Sequence, residues 1–568
     1  MPENCPTLIG HILDVRGDLF LADLKDCEEG ASLTVTIGDE DLPVGRLGSY
    51  VQIRQGELKI IGMVSRMTER EKLPPLSDDA GADEFREPIA LRTVEIVPVG
   101  SLRDDGEFER GVSAYPTTGA EVHAIGRADV SLMFRRFEST GFDVGALSSN
   151  PELRVYLDPS PLFGRHCAIL GQTGAGKSWT VASLLQKAVR SMPRAHIILL
   201  DLHGEYRPAF AEGEARHIEA TDLEIPYWLM TFSELCDLLI DRSEFTAHNQ
   251  IASFRDTLNT LKQEEGRRLG LPRATVDTPI YFSLDAVRQA IAAENSRMVP
   301  GQHEKPIKGP MHGHFDRFLM RLDSRLNDVK YDFLLKPQAR NNSASLEGLL
   351  RDFVGLGDPR RCVTVIDLSP VPFDVRPTVT AQIGRLVFEF NYWNPAYRQF
   401  PLLLVAEEAH AYIKRESDAQ FEGARRSMER IAKEGRKYGV GLLIVSQRPH
   451  ELSETVLSQC GTFICLRMTN PDDQNYIRKL VPEAERDLVN ILAGLRRGEA
   501  LVLGDAAALP GRMLIDPPEP KPQSDDVDFL GQWTNGPEDI NVADIVNRWR
   551  RQNRSACAFS QPTGGQPD

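Results

Sequence analysis

The sequence predicts an α/β fold: a mostly parallel sheet with helices between its strands, preceded by a small N-terminal β-barrel and carrying a helical insertion. Three observations predict it. Short alternating strands broken by Gly, Asp and Pro run from about residue 7 to residue 125. Apolar strands then recur with helical stretches between them, the rhythm of a parallel sheet covered on both faces. One of those strands runs directly into a glycine-rich loop and a helix, Gly171-Gln172-Thr173-Gly174-Ala175-Gly176-Lys177-Ser178.

In chain order, the barrel (1–125) is read from Leu8–Val15, Ser32–Ile37, Ser49–Ile53, Lys59–Val64 and Leu91–Val99. Leu73 to Glu87, rich in Pro, Asp and Gly, reads as a mobile loop within it. The first part of the α/β core spans 126–226 and its second part 351–515, with strands at Ala195–Leu200, Cys362–Ile366, Leu402–Ala406, Gly441–Val445, Thr462–Leu466 and Glu499–Leu503. Between them, residues 227–350 read as a helical insertion on the outside of the core, with helical spacing over Ser233–Leu239, Thr246–Glu265, Leu284–Asn295 and His314–Leu326. The last segment, 516–568, opens with Pro517-Pro518-Glu519-Pro520-Lys521-Pro522, a stiff extended linker. One helix, Ile540–Arg551, and a disordered end, Ser560–Asp568, are expected to follow.

The glycine-rich loop carries the chemistry. The run His166-Cys167-Ala168-Ile169-Leu170 enters it as a buried strand, and Trp179 to Ala188 leave it as a helix, the context a phosphate-binding loop requires. Its glycines let backbone N–H groups turn inward around a polyphosphate at a helix N-terminus, where the dipole favours negative charge. Lys177 is expected to reach the β- and γ-phosphates, and the Ser178 hydroxyl to sit on Mg²⁺. Gly171 to Ser178 with Trp179 are therefore the residues expected to hold a nucleoside triphosphate.

Three further stretches fit that chemistry. Pro401-Leu402-Leu403-Leu404-Val405-Ala406 is an apolar strand ending in Glu407 and Glu408. Consecutive carboxylates at such a strand end suit a Mg²⁺-dependent hydrolase, with Glu407 assigned to the metal and Glu408 to the attacking water; acids opening the next helix are the plainer reading. The strand Gly441–Val445 ends in Ser446-Gln447-Arg448-Pro449, where Gln447 can sense the γ-phosphate or simply cap the strand. Between them lies Arg425 to Gly439, strongly basic, by default a solvated helix face. Arg436 is the first choice within it for an arginine that reaches a neighbouring subunit's γ-phosphate, and Arg165, before the phosphate-loop strand, is the second. Asp201, at the end of Ala195–Leu200, either supports the Mg²⁺ site, binds across a subunit boundary or fixes its own loop.

Composition narrows the class. The 568 residues exceed one core and suggest roughly three or four domains. No apolar run approaches the roughly 20 residues of a membrane span, and Met-Pro-Glu-Asn-Cys-Pro does not read as a secretory signal. Cysteines at 5, 27, 167, 236, 362, 460, 465 and 557 form no Cys-x-x-Cys pair, which argues against zinc and for a soluble protein of a reducing, cytoplasmic compartment. Net charge is 66 − 82 = −16. That counts against simple coating of nucleic acid, though not against a ring with basic residues on an inner channel.

With these residues in place, the chain resembles the HerA branch of the FtsK–HerA translocases. The matching pieces are Arg165 to Gly171 running into the phosphate loop, Asp201-Leu202-His203-Gly204-Glu205-Tyr206, Pro226-Tyr227-Trp228-Leu229-Met230, Glu407-Glu408-Ala409-His410, Gly435-Arg436-Lys437-Tyr438-Gly439 and Ser446-Gln447-Arg448-Pro449, in the family's order. The leading barrel, similar to a HAS barrel, the insertion and the trailing segment match as well. The resemblance implies a RecA-like P-loop core and a homo-hexameric ring that hydrolyses ATP with Mg²⁺ and moves double-stranded DNA through its pore. It implies a partner on the barrel face: a NurA-like nuclease in DNA-end resection, or a nuclease or sirtuin-type NADase in antiphage defence. Carried onto this chain, Lys177 and Ser178 bind phosphate and Mg²⁺, Glu408 is the catalytic acid, Arg165 and Arg436 stand near the intersubunit ATP, and Gln447 is the sensor. Glu407 stands where many relatives of the wider superfamily have Asp. The competing readings are a ring that mainly assembles and activates an effector, and a subunit of a conjugation or secretion pump from the same superfamily.

Overall fold

The computed structural model describes residues 7–551 apart from 18, 25–33, 38–39, 44–45, 57, 73–88, 104, 140, 301–305 and 416–420. The loop expected within 73–87 and the chain end expected at 560–568 lie outside those residues. The chain divides into two compact units, Met1–Pro193 with Leu442–Pro522, and Arg194–Gly441 with Gln523–Asp568.

In the first unit, alternation of apolar and polar residues produces a seven-stranded antiparallel sheet that curls on itself. Phe20–Asp23 pairs with Leu8–Val15 on one side and with Ile89–Leu102 on the other, which closes a barrel and removes its open edges. Inward-facing Ile9, Ile12, Phe20, Val51, Ile53, Ile60, Val64, Val94, Ile96 and Val122 fill it. Two strands are longer than the sequence suggests: Leu58–Lys72 and Ile89–Leu102 pair along almost their whole length. The added stretch of the first, 65–72, is charged and polar, so apolar runs alone mark only part of the strand.

The same unit holds the phosphate-loop strand, Cys167–Leu170, fully buried and without alternation, as a strand covered on both faces must be. It lies between Val440–Ser446 and Thr462–Leu466, parallel to both, with Leu170 opposite Ser446 and Cys465. Beyond Thr462–Leu466 the order continues with antiparallel strands: Glu499–Gly504, Gly511–Ile515, Asp143–Leu147 and Asn150–Tyr156. Helix Lys177–Ser191 follows the loop and buries most of its residues.

The proline-rich stretch expected to be a stiff linker is instead a strap on that helix. Gln186, 2% exposed, donates from Nε2 to the carbonyl of Pro520 at 2.7 Å and accepts at Oε1 from the N–H of Glu519 at 2.8 Å. Prolines leave carbonyls without matching N–H groups, and one buried amide side chain satisfies this pair of backbone groups. Asp516 anchors the strap's start through Arg154 and Lys187.

The main-sheet strands of the second unit are all parallel. Ile197–Asp201 lies between Leu402–Ala406 and Val363–Asp367, and Ala215–Glu219 extends the sheet beyond the latter. The insertion belongs to this unit and contains Phe232–Leu239, Ala247–Arg268, Leu284–Asn295 and Asp316–Asn327. The first of these opens with a capping box, Thr231 and Glu234 satisfying each other's backbone N–H. Phe254, Leu258, Val287, Ile291, Phe318 and Leu322, at helical spacing, are its buried faces. A short hairpin, Met298–Pro300 with Pro306–Lys308, lies within the insertion where only helices were expected. Near the end of the chain there are two helices rather than one, Phe529–Asn535 and Val542–Arg551.

Candidate nucleotide site

The phosphate loop is held by both flanking strands. Its first N–H, of Gly171, donates to the carbonyl of Ser446 at 3.2 Å, and the next, of Gln172, to that of Arg467 at 3.0 Å. The Gln172 side chain fastens the loop again, accepting at Oε1 from the N–H and the hydroxyl of Thr469 at 3.1 and 2.8 Å. Two glycines are required by backbone shape: Gly174 has φ +76° and Gly176 has φ +105°, conformations costly for residues with a Cβ. Gly171 is required by space, since a Cβ there would lie 2.7 Å from that of Leu466. Lys177 is 8% exposed, and its ammonium lies 3.4 Å from the Gln172 carbonyl. An ammonium folded over its own loop, at a helix N-terminus, suits an anion in the loop.

Thr173 donates its hydroxyl to Gln447 Oε1, so the expected sensor and the phosphate loop are in direct contact. Trp179, one turn into the helix, has the Lys521 ammonium 5.0 Å and the Arg497 guanidinium 5.4 Å from its ring centroid. Arg165, just before the strand, pairs with Asp505 at 2.6 Å, both about half exposed.

In the second unit, strand ends bring acids together. Asp201 and Asp367 are register partners, and Leu200 is opposite Ala406, so Glu407 follows at the same end. Glu407 is 3% exposed. Its Oε1 accepts from the Tyr206 hydroxyl at 2.8 Å, while Oε2 has no hydrogen-bond partner among the described residues. Burial, then the nearby carboxylates of Asp201 and Glu205, push the Glu407 carboxyl well above the usual range. Glu408 has φ +44°, a left-handed conformation rare for a side-chain-bearing residue and found at functional sites. Its Oε2 lies 3.1 Å from His410 Nδ1.

Asp201 has a structural occupation. Its carboxylate accepts from the N–H groups of His203, Gly204, Glu205 and Tyr206 at 2.8–3.2 Å and thereby shapes the loop that delivers Tyr206. This is the loop-fixing alternative. Arg436 sits on the turn Gly435–Tyr438, exposed, and its guanidinium has no partner among the described residues. Buried Asn391 pins this turn by donating to the carbonyls of Tyr438 at 3.0 Å and Phe400 at 2.9 Å. Neighbouring basic residues on helix Glu422–Glu434 are different: Arg425 and Arg426 both pair with Glu422, the solvated-face pattern.

Sequence reading missed Tyr206 and Tyr412, whose hydroxyls donate to the side chain and the backbone carbonyl of Glu407. Nothing in the spacing of either tyrosine separates a hydrogen-bonding role from core packing.

A strand, a glycine-rich loop gripping a helix N-terminus, and acids at the ends of parallel strands define a P-loop ATPase with an α/β, RecA-like core. Family models carry this further: residues 142–387 match the central domain of helicase HerA, and residues 400–513 match the helicase HerA-like C-terminal domain. The chain belongs to the HerA helicase family, ATP-hydrolysing helicases or translocases. It is 27% identical over 519 residues to the DNA double-strand break repair helicase HerA of Sulfolobus acidocaldarius, covering 89% of this chain and 95% of that one. It is 28% identical over 463 residues to the protein of the same name from Pyrococcus furiosus, covering 75% and 77%. Among solved structures, VirB4 of Thermoanaerobacter pseudethanolicus aligns with a TM-score of 0.44 at 19% identity, over 66% of this chain and 96% of that one. Plasmid coupling protein TrwB, bound to a non-hydrolysable ATP analogue, aligns with a TM-score of 0.43 at 13% identity, over 69% and 92%. Among the described residues no helix is long and apolar enough to cross a membrane.

Proposed function

We propose that this chain is an ATP-dependent double-stranded DNA translocase that works as a homo-hexameric ring. The observation that carries the reading is Arg436: a guanidinium on a pinned turn, bonded to nothing among the described residues, is available to a neighbouring copy's nucleotide. Hydrolysis then depends on assembly, because the arginine that offsets transition-state charge comes from the next subunit. Similarity over most of their length to DNA double-strand break repair helicases supports DNA as the track. A nuclease or NADase docked on the barrel, in DNA-end processing or antiphage defence, is the partner this reading carries with it.

Lys177 binds the β- and γ-phosphates, and Gly171 to Gly176 supply backbone N–H groups. Trp179 flanks the nucleotide. Ser178 and Glu407 are the residues that would hold Mg²⁺. Glu407 fits the role: it offers a buried carboxylate oxygen with no partner among the described residues, and a hard cation prefers oxygen ligands. When bound, Mg²⁺ offsets negative charge on the phosphates. Glu408 orients and deprotonates the attacking water, Gln447 reports the state of the γ-phosphate through Thr173, and Arg165 is a second arginine acting at the ATP.

Complementation tests the shared site. Arg436→Ala and Glu408→Gln should each lose ATP hydrolysis, by about a hundredfold or more. Mixed together, they should regain part of it, because some sites then pair an intact acid with an intact arginine. Full activity of Arg436→Ala alone, or no recovery on mixing subunits shown to co-assemble, would contradict the reading.

A further inference from the structure

One side chain of the barrel leads towards the residues before the phosphate loop. Strand Phe108–Arg110 is an appendage of the barrel, with Arg110 opposite Gly100. Arg110 then points away from its own sheet, donating from Nη1 to the Gly504 carbonyl at 2.6 Å and from Nη2 to Glu485 Oε1 at 2.5 Å. Glu485 is 5% exposed; burial raises its carboxyl, and Arg110 is the cation that counters this.

From Gly504 the links continue without a gap. Gly504 has φ +97°, and a Cβ there would lie 2.2 Å from the Gly461 carbonyl oxygen, so the two turns are pressed together. The N–H of Asp505 donates to that carbonyl at 2.8 Å, and the N–H of Gly461 donates to the carbonyl of Arg165 at 2.8 Å. The Asp505 carboxylate closes the circuit on Arg165 Nη1 at 2.6 Å. His166, next in the chain, has φ +58° and accepts at Nδ1 from the N–H of Leu442 at 3.0 Å; the phosphate-loop strand begins one residue later. An exposed ion pair contributes about 1 kcal/mol or less, and the backbone links from Asp505 through Gly461 to Arg165 add to it. The direction of Arg165 therefore follows the Gly504–Asp505 corner, and that corner is held by Arg110.

We propose that Arg110 is a positioning residue for ATP hydrolysis, fixing Arg165 through the Gly504–Asp505 corner so that load on the barrel changes turnover. This rests on the reading that Arg165 acts at a nucleotide. The test is steady-state ATP hydrolysis by the full chain carrying Arg110→Gln, Arg110→Lys, Asp505→Asn, the Arg110→Gln/Asp505→Asn pair or Arg165→Ala, with melting temperature and oligomer mass for each. Arg110→Gln should lower kcat about five- to tenfold, with KM for ATP moving less than about twofold. Arg110→Lys, which keeps the charge beside Glu485, should recover most of the loss. The double variant should fall no further than the worse single variant, because both cut one path. An unchanged kcat in folded Arg110→Gln, or a double variant at the product of the single losses, overturns the proposal. If Arg110→Gln does not fold, Asp505→Asn decides: the same kcat loss supports the proposal and an unchanged kcat overturns it. Arg165→Ala separates the two claims. Loss there with none in Arg110→Gln sinks the relay and leaves the role of Arg165 standing; wild-type turnover in Arg165→Ala sinks both.

Discussion

Glu407 and Tyr206 show how closely chemistry and stability are joined at single residues. A buried carboxylate with one bonded oxygen and one unbonded oxygen is costly, and the Tyr206 hydroxyl is the donor to its side chain among the described residues. Tyr206→Phe should therefore destabilise the protein by about 1–3 kcal/mol, read by chemical denaturation of the nucleotide-free chain; a midpoint equal to wild type would show that the carboxylate finds another donor. The acids themselves are legible in sequence, because consecutive carboxylates ending an apolar strand are too expensive to be common without a use. The phosphate loop is legible for a similar reason, since its glycines answer to backbone shape at Gly174 and Gly176 and to space at Gly171. Tyr206 is not. Its role depends on Asp201 bending the intervening loop, and four backbone N–H groups converging on one carboxylate leave no pattern in residue type.

At the scale of elements, strands covered on both faces were the most readable, because unbroken apolar runs have few other uses. Where partners outside the element decide its state, the sequence misled: Pro517 to Pro522 has a linker's composition, yet Gln186, more than three hundred residues earlier, turns it into a strap. Within the insertion, helix Ala247–Arg268 buries Lys262, whose ammonium donates to the carbonyls of Val276 and Thr278 at 2.7 Å each. Burial pushes this group down from 10.5 to about 8. The unfolded chain therefore holds a proton that the folded chain has released between about pH 8 and pH 10.5, so stability from this group rises with pH across that window and is constant below it. Measured as the difference in unfolding free energy between wild type and Lys262→Met, the gain should approach about 3 kcal/mol by the upper end. A difference independent of pH would contradict the burial of a charged lysine.

For the whole molecule, the fold class was legible because three periodicities succeed one another: alternation in the barrel, apolar runs in the core and helical spacing in the insertion. The net charge of −16 says little about DNA, since total charge does not locate the basic residues along a channel. Ionic strength does test the point. A translocase that neutralises DNA phosphates releases counterions, so DNA stimulation of its ATPase falls steeply with salt. The most direct measurement is steady-state ATP hydrolysis with and without linear duplex DNA from low to moderate salt, on wild type, Glu408→Gln and Arg436→Ala, each checked for oligomer mass. The account predicts strong stimulation by DNA that weakens as salt rises and is lost in both variants while the ring persists. ATP hydrolysis indifferent to DNA at every salt concentration would contradict it.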